Sequence, residues 1–144
     1  MQIKKKSFDE LSAHEIYGIL NLRLEVFLDE QQIIYVDTDY VDQKCIHYFI
    51  EEDEKVVSYL RLIPKGYKYI EYSIGRVVTD KGYRHKGYST ALIKKALEDV
   101  KGEKVRISGQ AYLQKYYEKL GFKTVSDAYL EEGILHYEML YDSK

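Results

Sequence analysis

The sequence predicts an α/β fold of the α+β kind: a mixed central sheet of about six to seven strands flanked by helices. Three observations carry this. Apolar, β-rich runs follow one another between residues 46 and 79 with short links, which makes an antiparallel meander. Apolar residues recur at helical spacing over 12–29 and again over 88–100. Between Tyr69 and Gly109 a strand, a charged loop, a helix and a further strand succeed one another, the pattern of a right-handed crossover between parallel strands.

Taken in order, residues 2–6 make a short edge strand guarded by lysines. Ser7 or Asp9 caps the next element. Ile16, Ile19, Leu20, Leu24 and Phe27 then form the stripe of a first helix, with Ser12 and Glu15 suited to its start. Residues 30–44 are polar, acidic and aperiodic, and read as a long loop with room for one helical turn. Ile46–Glu51 and Lys55–Ile63 are strands joined by an acidic turn, and Pro64 and Gly66 end the second. Tyr69–Thr79 is a third, with Ile70, Tyr72, Ile74, Arg76 and Val78 on one face and Val77 on the other; Gly75 inside it hints at a bulge or a close backbone approach. A helix runs over Tyr88–Val100, striped by Leu92, Ile93, Ala96 and Leu97 and stopped by Gly102. Lys104–Gly109 is a strand, Ala111–Leu120 a helix, and Phe122–Val125 and Ile134–Tyr141 are the last strands, with residues 126–133 an acidic loop between them.

At 144 residues this reads as a single domain, 1–144, with 45% hydrophobic and 32% charged residues. The net charge of −2 gives no global case for nucleic acid or an acidic membrane. One cysteine, Cys45, excludes an internal disulfide and a cysteine-based zinc cage. No signal peptide and no bilayer-length apolar run is present, so the cytoplasm is the expected location. Asp37, Asp39 and Asp42 lack the glycine and terminal glutamate of a calcium loop, and no metal is expected. Sixteen tyrosines must be mostly structural; tyrosine-rich strands are compatible with a homodimer and equally with inward packing.

The stretch Val77–Leu97 carries the clearest chemistry. Arg84, His85, Lys86, Gly87, Tyr88 and Ser89 sit where the charged loop enters a helix. The first N–H groups of a helix have no internal partner, and the helix dipole adds positive character there, so this end suits a phosphate or pyrophosphate. Gly87 lets backbone approach a ligand, and Arg84 and Lys86 add charge. The spacing matches neither a P-loop nor a dinucleotide fingerprint.

Arg84–Ser89 resembles the Q/R-x-x-G-x-G/A acetyl-CoA motif of the GNAT N-acetyltransferase superfamily, with serine at the last small position. Tyr117-Glu118-Lys119-Leu120-Gly121-Phe122 resembles that family's Y-x-x-x-G-F segment, in the right order and at the right remove. A closer resemblance is to the ElaA-like branch, through Arg23, Val26, Phe27, Glu30 and Gln31; through Tyr35, Asp39 and Asp42; and through His47, Arg61, Pro64, Ile74-Gly75-Arg76-Val77, Gln110-Ala111 and Glu131–His136. Here EEGILH stands where the branch usually has EDGIPH.

The resemblance implies acetyl-CoA as acyl donor and direct transfer of acetyl to a primary amine of a small molecule or peptide. Val77, Val78 and Thr79 would offer backbone groups to the pantetheine arm, Arg84–Ser89 would hold the pyrophosphate, and Gln110 would lie beside the cofactor. The family position selects Tyr117, rather than the neighbouring Tyr116, as general acid. A base is harder to place: His47, His136, Glu30 and Glu131 are the candidates, with His47 and His136 placed in the catalytic set. Glu30, Arg76 and Glu131 are placed with the acceptor, and Glu30, Asp37, Asp39 and Glu131 would form an acidic mouth for a cationic amine. Cys45 has nothing nearby in sequence to activate it as a nucleophile. The alternative is a catalytically weak module of the same fold that binds CoA as a sensor or docking domain.

Overall fold

The computed structural model describes residues 1–143. Its first sheet is the predicted three-strand meander with the N-terminal edge strand added beside it: β1 (Ile3–Ser7), β2 (Ile46–Glu52), β3 (Lys55–Ile63) and β4 (Ser73–Thr79), neighbours in that order and all antiparallel. Two residues, Asp53 and Glu54, turn β2 into β3 with φ of 50° and 63°. Positive φ at both positions matches the right-handed twist of a hairpin.

Helix α1 (Ala13–Arg23) begins in a capping box, with the Ser12 hydroxyl accepting from the Glu15 amide and Glu15 accepting from the Ser12 amide. It runs on into a π-helical segment, Leu24–Glu30, whose bonds close at longer range, as from Gln31 N–H to Val26 C=O at 2.9 Å. Helix α2 (Tyr88–Asp99) comes after β4 and buries Leu92, Ile93, Ala96 and Leu97. Strand β5 (Lys104–Gln110) leads into α3 (Gln114–Lys119). Strand β8 (Ile134–Asp142) then pairs with β5 along its length, with β6 (Lys123–Thr124) and with β7 (Tyr129–Glu131).

The two faces of the first sheet carry separate cores. Tyr48, Ile50, Leu60 and Leu62 pack with α2, α3 and β5, whereas Phe49, Val56 and Tyr59 pack with Leu11, Ile19 and Leu22 under α1. Side chains that alternate along β2 and β3 therefore serve both layers.

Two sequence expectations are corrected. Residues 126–133 are not simply a loop, because Tyr129–Glu131 forms a hairpin with β8 through the pair Glu132 and Gly133, at φ of 52° and 77°. The single face assigned to the third strand is also broken. Pairing passes from Arg61 opposite Gly75 to Tyr59 opposite Val78, so Arg76 and Val77 face one residue of β3, and Arg76 sits at φ 53°. This bulge puts Ile74 into the core below α2 and Val78 into the core below α1. Ile70 lies outside the strand, exposed.

The crossover β4–α2–β5 brings two parallel strands together, but they join at one bridge, Tyr72 with Val105, where Arg106 N–H reaches Tyr72 C=O at 2.8 Å. Beyond it they part, and the opening lies at their C-terminal ends. Among the described residues no helix is long and apolar enough to cross a membrane.

The long loop is fixed by buried charge. Arg23 bonds Asp37 through Nε at 2.7 Å and Asp42 through Nη1 at 2.8 Å. Arg61 bonds Asp42 at 2.8 Å and both oxygens of Asp39 at 2.8 and 2.6 Å. Arg76 donates to the Asp37 carbonyl at 2.8 Å and pairs with its carboxylate. Burial alone would raise the Asp42 carboxyl, but Arg23 and Arg61 outweigh it and hold the group below its ordinary value. Its contribution is therefore whole above the unfolded aspartate value of about 4 and is lost as pH falls through the lower folded value. Asp42→Asn should lower the unfolding free energy measured in urea at neutral pH by about 3 kcal/mol. Below about pH 4 the gap between variant and parent should narrow.

Candidate active site

The gap between β4 and β5 is a cavity of about 150 Å³. Ile74–Val77 line one side, Ile107, Ser108 and Gln110 the other, and Ile93 and Phe122 close its floor. Phe27, Gln31 and Tyr35 from the π segment and the loop after it form the front. Tyr112 and Leu113, just before α3, line it too, and α2 begins beside the end of β4, where Ser89 bonds Thr79.

At the start of α2, Gly87 has φ 81° and the first intrahelical bond runs from Ala91 N–H to Gly87 C=O at 3.0 Å. The amides of Tyr88, Ser89 and Thr90 are thus the orphan donors of this helix. The preceding His85 also has positive φ, at 64°. The Ser89 hydroxyl bonds Thr79 Oγ1 at 2.6 Å, which ties the helix to the end of β4. His85, Lys86 and Gly87 are exposed. The Tyr88 hydroxyl donates to Glu52 at 3.0 Å, and the Lys86 ammonium stands 5.2 Å from the Tyr83 ring.

Arg84 departs from expectation. Its guanidinium is taken by both oxygens of Glu30 at 2.5 and 2.6 Å and by the Thr79 carbonyl at 3.0 Å. It fastens the loop to the end of the π segment, and the free amides and Lys86 are left for an anion. Glu30, placed with the acceptor by sequence, is committed to that contact and does not line the cavity. On the opposite side Gln110 donates to Gln31 at 3.2 Å, so neighbouring residues of one segment bind both banks of the opening.

Val77 faces the cavity. Val78 is buried under α1, and the Thr79 hydroxyl is held by Ser58 and Ser89, so these two can address a ligand only through backbone. Beyond Tyr72 the β4 edge facing β5 has no strand partner, which leaves that backbone available.

Tyr117 lines the cavity, 7% exposed, with its ring edge-on to Tyr116 and Phe122. Burial pushes its phenol well above the ordinary tyrosine range, so the group keeps its proton and serves as a donor. Gly109 makes this placement fit, since a Cβ there would stand 3.2 Å from the Tyr117 ring. Tyr116 turns to bond Thr90 at 2.7 Å.

His136 also lines the cavity, opposite Gln110 in the β5–β8 register. Neutral imidazole must donate from Nδ1 to the Ile134 carbonyl at 2.7 Å, which leaves Nε2 as an acceptor. Nε2 lies 3.7 Å from Glu131 Oε2. Glu131 Oε1 accepts from the Ser108 hydroxyl at 3.0 Å, so Ser108 in turn accepts from Tyr129.

His47 is not brought here. It is 1% exposed and packed behind α1, with Nε2 on the Asp42 carbonyl at 2.9 Å and Nδ1 on the Tyr59 hydroxyl at 2.6 Å. Burial lowers its pKa, so it is a neutral ring with both nitrogens engaged. The acidic mouth is likewise corrected: Asp37 and Asp39 are paired with arginines, and among the described residues only Glu131 and Glu132 bring carboxylates to the cavity free of arginine. Cys45 is 2% exposed and its thiol is pushed up to about 12 by burial, which fits an inert core residue.

Residues 21–143 match the family model for the acetyltransferase (GNAT) domain. The chain belongs to the GNAT acetyltransferase family. It is 42% identical over 140 residues to a UPF0039 protein of Schizosaccharomyces pombe, covering 93% of this chain and 92% of that one. Escherichia coli ElaA is 31% identical over 136 residues, with 90% and 89% covered. The crystal structure of an acyl-CoA N-acyltransferase from Pseudomonas aeruginosa superposes with a TM-score of 0.91 at 33% identity, covering 97% of this chain and 98% of that one. The ElaA crystal structure gives 0.90 at 28% identity, with 98% and 99% covered. This GNAT chain is therefore an acyltransferase of ElaA-like type.

An acyl-CoA fits the GNAT cleft on this chain's own features. Orphan amides stand at one end, an unpaired strand edge runs along it, and a Cβ built at Gly87 would meet nothing within 4 Å. Among the described residues no His, Cys, Asp and Glu group could hold a metal ion. Gly87→Ala therefore adds backbone strain without a clash and should cost about 1 kcal/mol of stability. Gly102→Ala, at φ 90° and equally open, is a matched control at the far end of α2. Calorimetry with CoA should show weaker binding for Gly87→Ala alone.

Proposed function

We propose that this acyltransferase uses acetyl-CoA and moves the acetyl group directly to a primary amine of a small molecule or peptide. The observation that carries the reading is one cavity shared by a buried, protonated phenol at Tyr117 and an imidazole at His136 whose Nε2 is left open by its own Nδ1 bond. When bound, acetyl-CoA supplies the acyl group as a thioester.

The chain's residues divide the remaining work. The amides of Tyr88–Thr90 hold the diphosphate, and the open β4 edge beside Val77 aligns the pantetheine arm. His136 Nε2 takes the proton from the acceptor's ammonium, directly or through one water, and Glu131 at 3.7 Å stabilises the imidazolium that results. The Tyr117 hydroxyl would give its proton to the departing thiolate as the C–S bond breaks, and the second proton shed by the attacking nitrogen would restore the phenol. Ser108 and Tyr129 hold Glu131 in place and leave its second oxygen toward His136. The hydrophobic floor of Ile93, Ile107 and Phe122 keeps water from the thioester.

Release of free thiol from acetyl-CoA in the presence of a panel of primary amines tests the whole reading. With an accepted amine, Tyr117→Phe should cut turnover about tenfold or more while CoA affinity is nearly kept. Unchanged turnover at saturation would remove Tyr117 from the reaction. His136→Gln should lower kcat/KM by about a hundredfold. That deficit should shrink as pH rises toward the acceptor's own pKa, because free amine then needs no base.

A further inference from the structure

Lys68 comes from the loop between β3 and β4 and lines the same cavity as Tyr117 and His136. Its ammonium forms no ion pair and no hydrogen bond among the described residues; the Tyr69 ring stands 5.6 Å from Nζ. Other lysines here, such as Lys4, Lys6 and Lys55, have carboxylate partners.

Its surroundings are unusual for a lone cation. Arg76 lines the cavity too and acts on Lys68 as a like charge, as does Arg61. Arg76 spends Nη2 on the Asp37 carbonyl, and its Nε, 2.8 Å from the Asp37 carboxylate, is buried without a well-directed acceptor. Its Nη1 has no acceptor among the described residues. Burial drives the Lys68 ammonium below its ordinary pKa, Glu131 and Asp39 pull the other way, and the arginines add to the lowering. Lys68 as a residue is exposed. Arg76 is paired with Asp37 and Asp39, whereas the Lys68 ammonium has no carboxylate in direct contact and feels Glu131 only from farther off. Across the cavity Glu131, Glu132 and His136 offer the opposite chemistry, suited to an ammonium.

We propose that the acceptor is zwitterionic: it carries a carboxylate close to its amine, as an α-amino acid does, and that carboxylate is held by Lys68 Nζ with Arg76 Nη1 while the amine faces His136 and Glu131. This rests on the proposed acetyl transfer. It narrows the acceptor from any primary amine to amino-acid-like molecules, and it makes Lys68 a specificity-determining residue.

The test compares each proteinogenic amino acid with its own α-carboxamide as acceptor, reading thiol release from acetyl-CoA and referring rates to the free-amine form. The pair differs in the negative charge and little else. At least one acid should exceed its amide in kcat/KM by about tenfold or more, mostly through KM. Lys68→Ala and Lys68→Met should bring the acid down to the level of its amide, and Lys68→Arg should restore much of the difference. Acid and amide used alike by the parent enzyme, or a preference that survives Lys68→Ala, would overturn the proposal. If simple amines or peptides release thiol and no amino acid does, this inference falls and acetyl transfer stands. If nothing releases thiol, both fall.

Discussion

Arg23, Arg61 and Arg76 pack against Asp37, Asp39 and Asp42, and the form of the cleft depends on that contact. Each arginine comes from a different element: α1, β3 and β4. Each aspartate comes from the loop after the π segment. The network is balanced in charge and its inner members are buried, so its value is positional more than energetic; an apolar replacement of the same volume could be as stable. What an apolar cluster could not do is hold Arg76 in a left-handed conformation against strand geometry. That residue makes the bulge, and the bulge bends β4 away from β5. The same contacts bring the loop down as the front wall of the opening they create.

The two banks of the opening are then joined by consecutive residues. Glu30 reaches Arg84 beside the α2 amides, and Gln31 reaches Gln110 at the end of β5. The amide end of α2 and the end of β5 are thus tied to one and the same segment. Any shift of the π segment moves both, which is a physical reason for an acid and an amide to stand side by side so far in sequence from everything they touch.

Much of this was legible in the chain. Alternation gave β2 and β3 to within a residue, the apolar stripe gave α2, and the basic turn before it does lead into a helix start, with Gly87 at φ 81°. The resemblance to the acetyltransferase family, carried by Arg84–Ser89 and Tyr117–Phe122, is upheld by the family match. What failed did so where partners are remote. Asp37 and Asp39 read as part of an acidic mouth because nothing local announces Arg23, Arg61 and Arg76. His47 read as a candidate base because its partners, Tyr59 and the Asp42 carbonyl, come from another strand and a loop. The β7 hairpin did leave a signal: Glu132-Gly133 between apolar neighbours is a two-residue turn of the Asp-Gly type. Lys68 left none, since an unpaired lysine is recognised only once every other charge has found its partner.

The π-helical run Leu24–Glu30 has a consequence for lengths. Its wider winding accommodates a residue that a plain α-helix of the same span would not. Deleting one residue within it would let ordinary helix resume with little net rotation of the residues that follow. Glu30 and Gln31 would then keep facing Arg84 and Gln110 together. Relatives one residue shorter in this stretch should accordingly keep an acid and an amide at these two places.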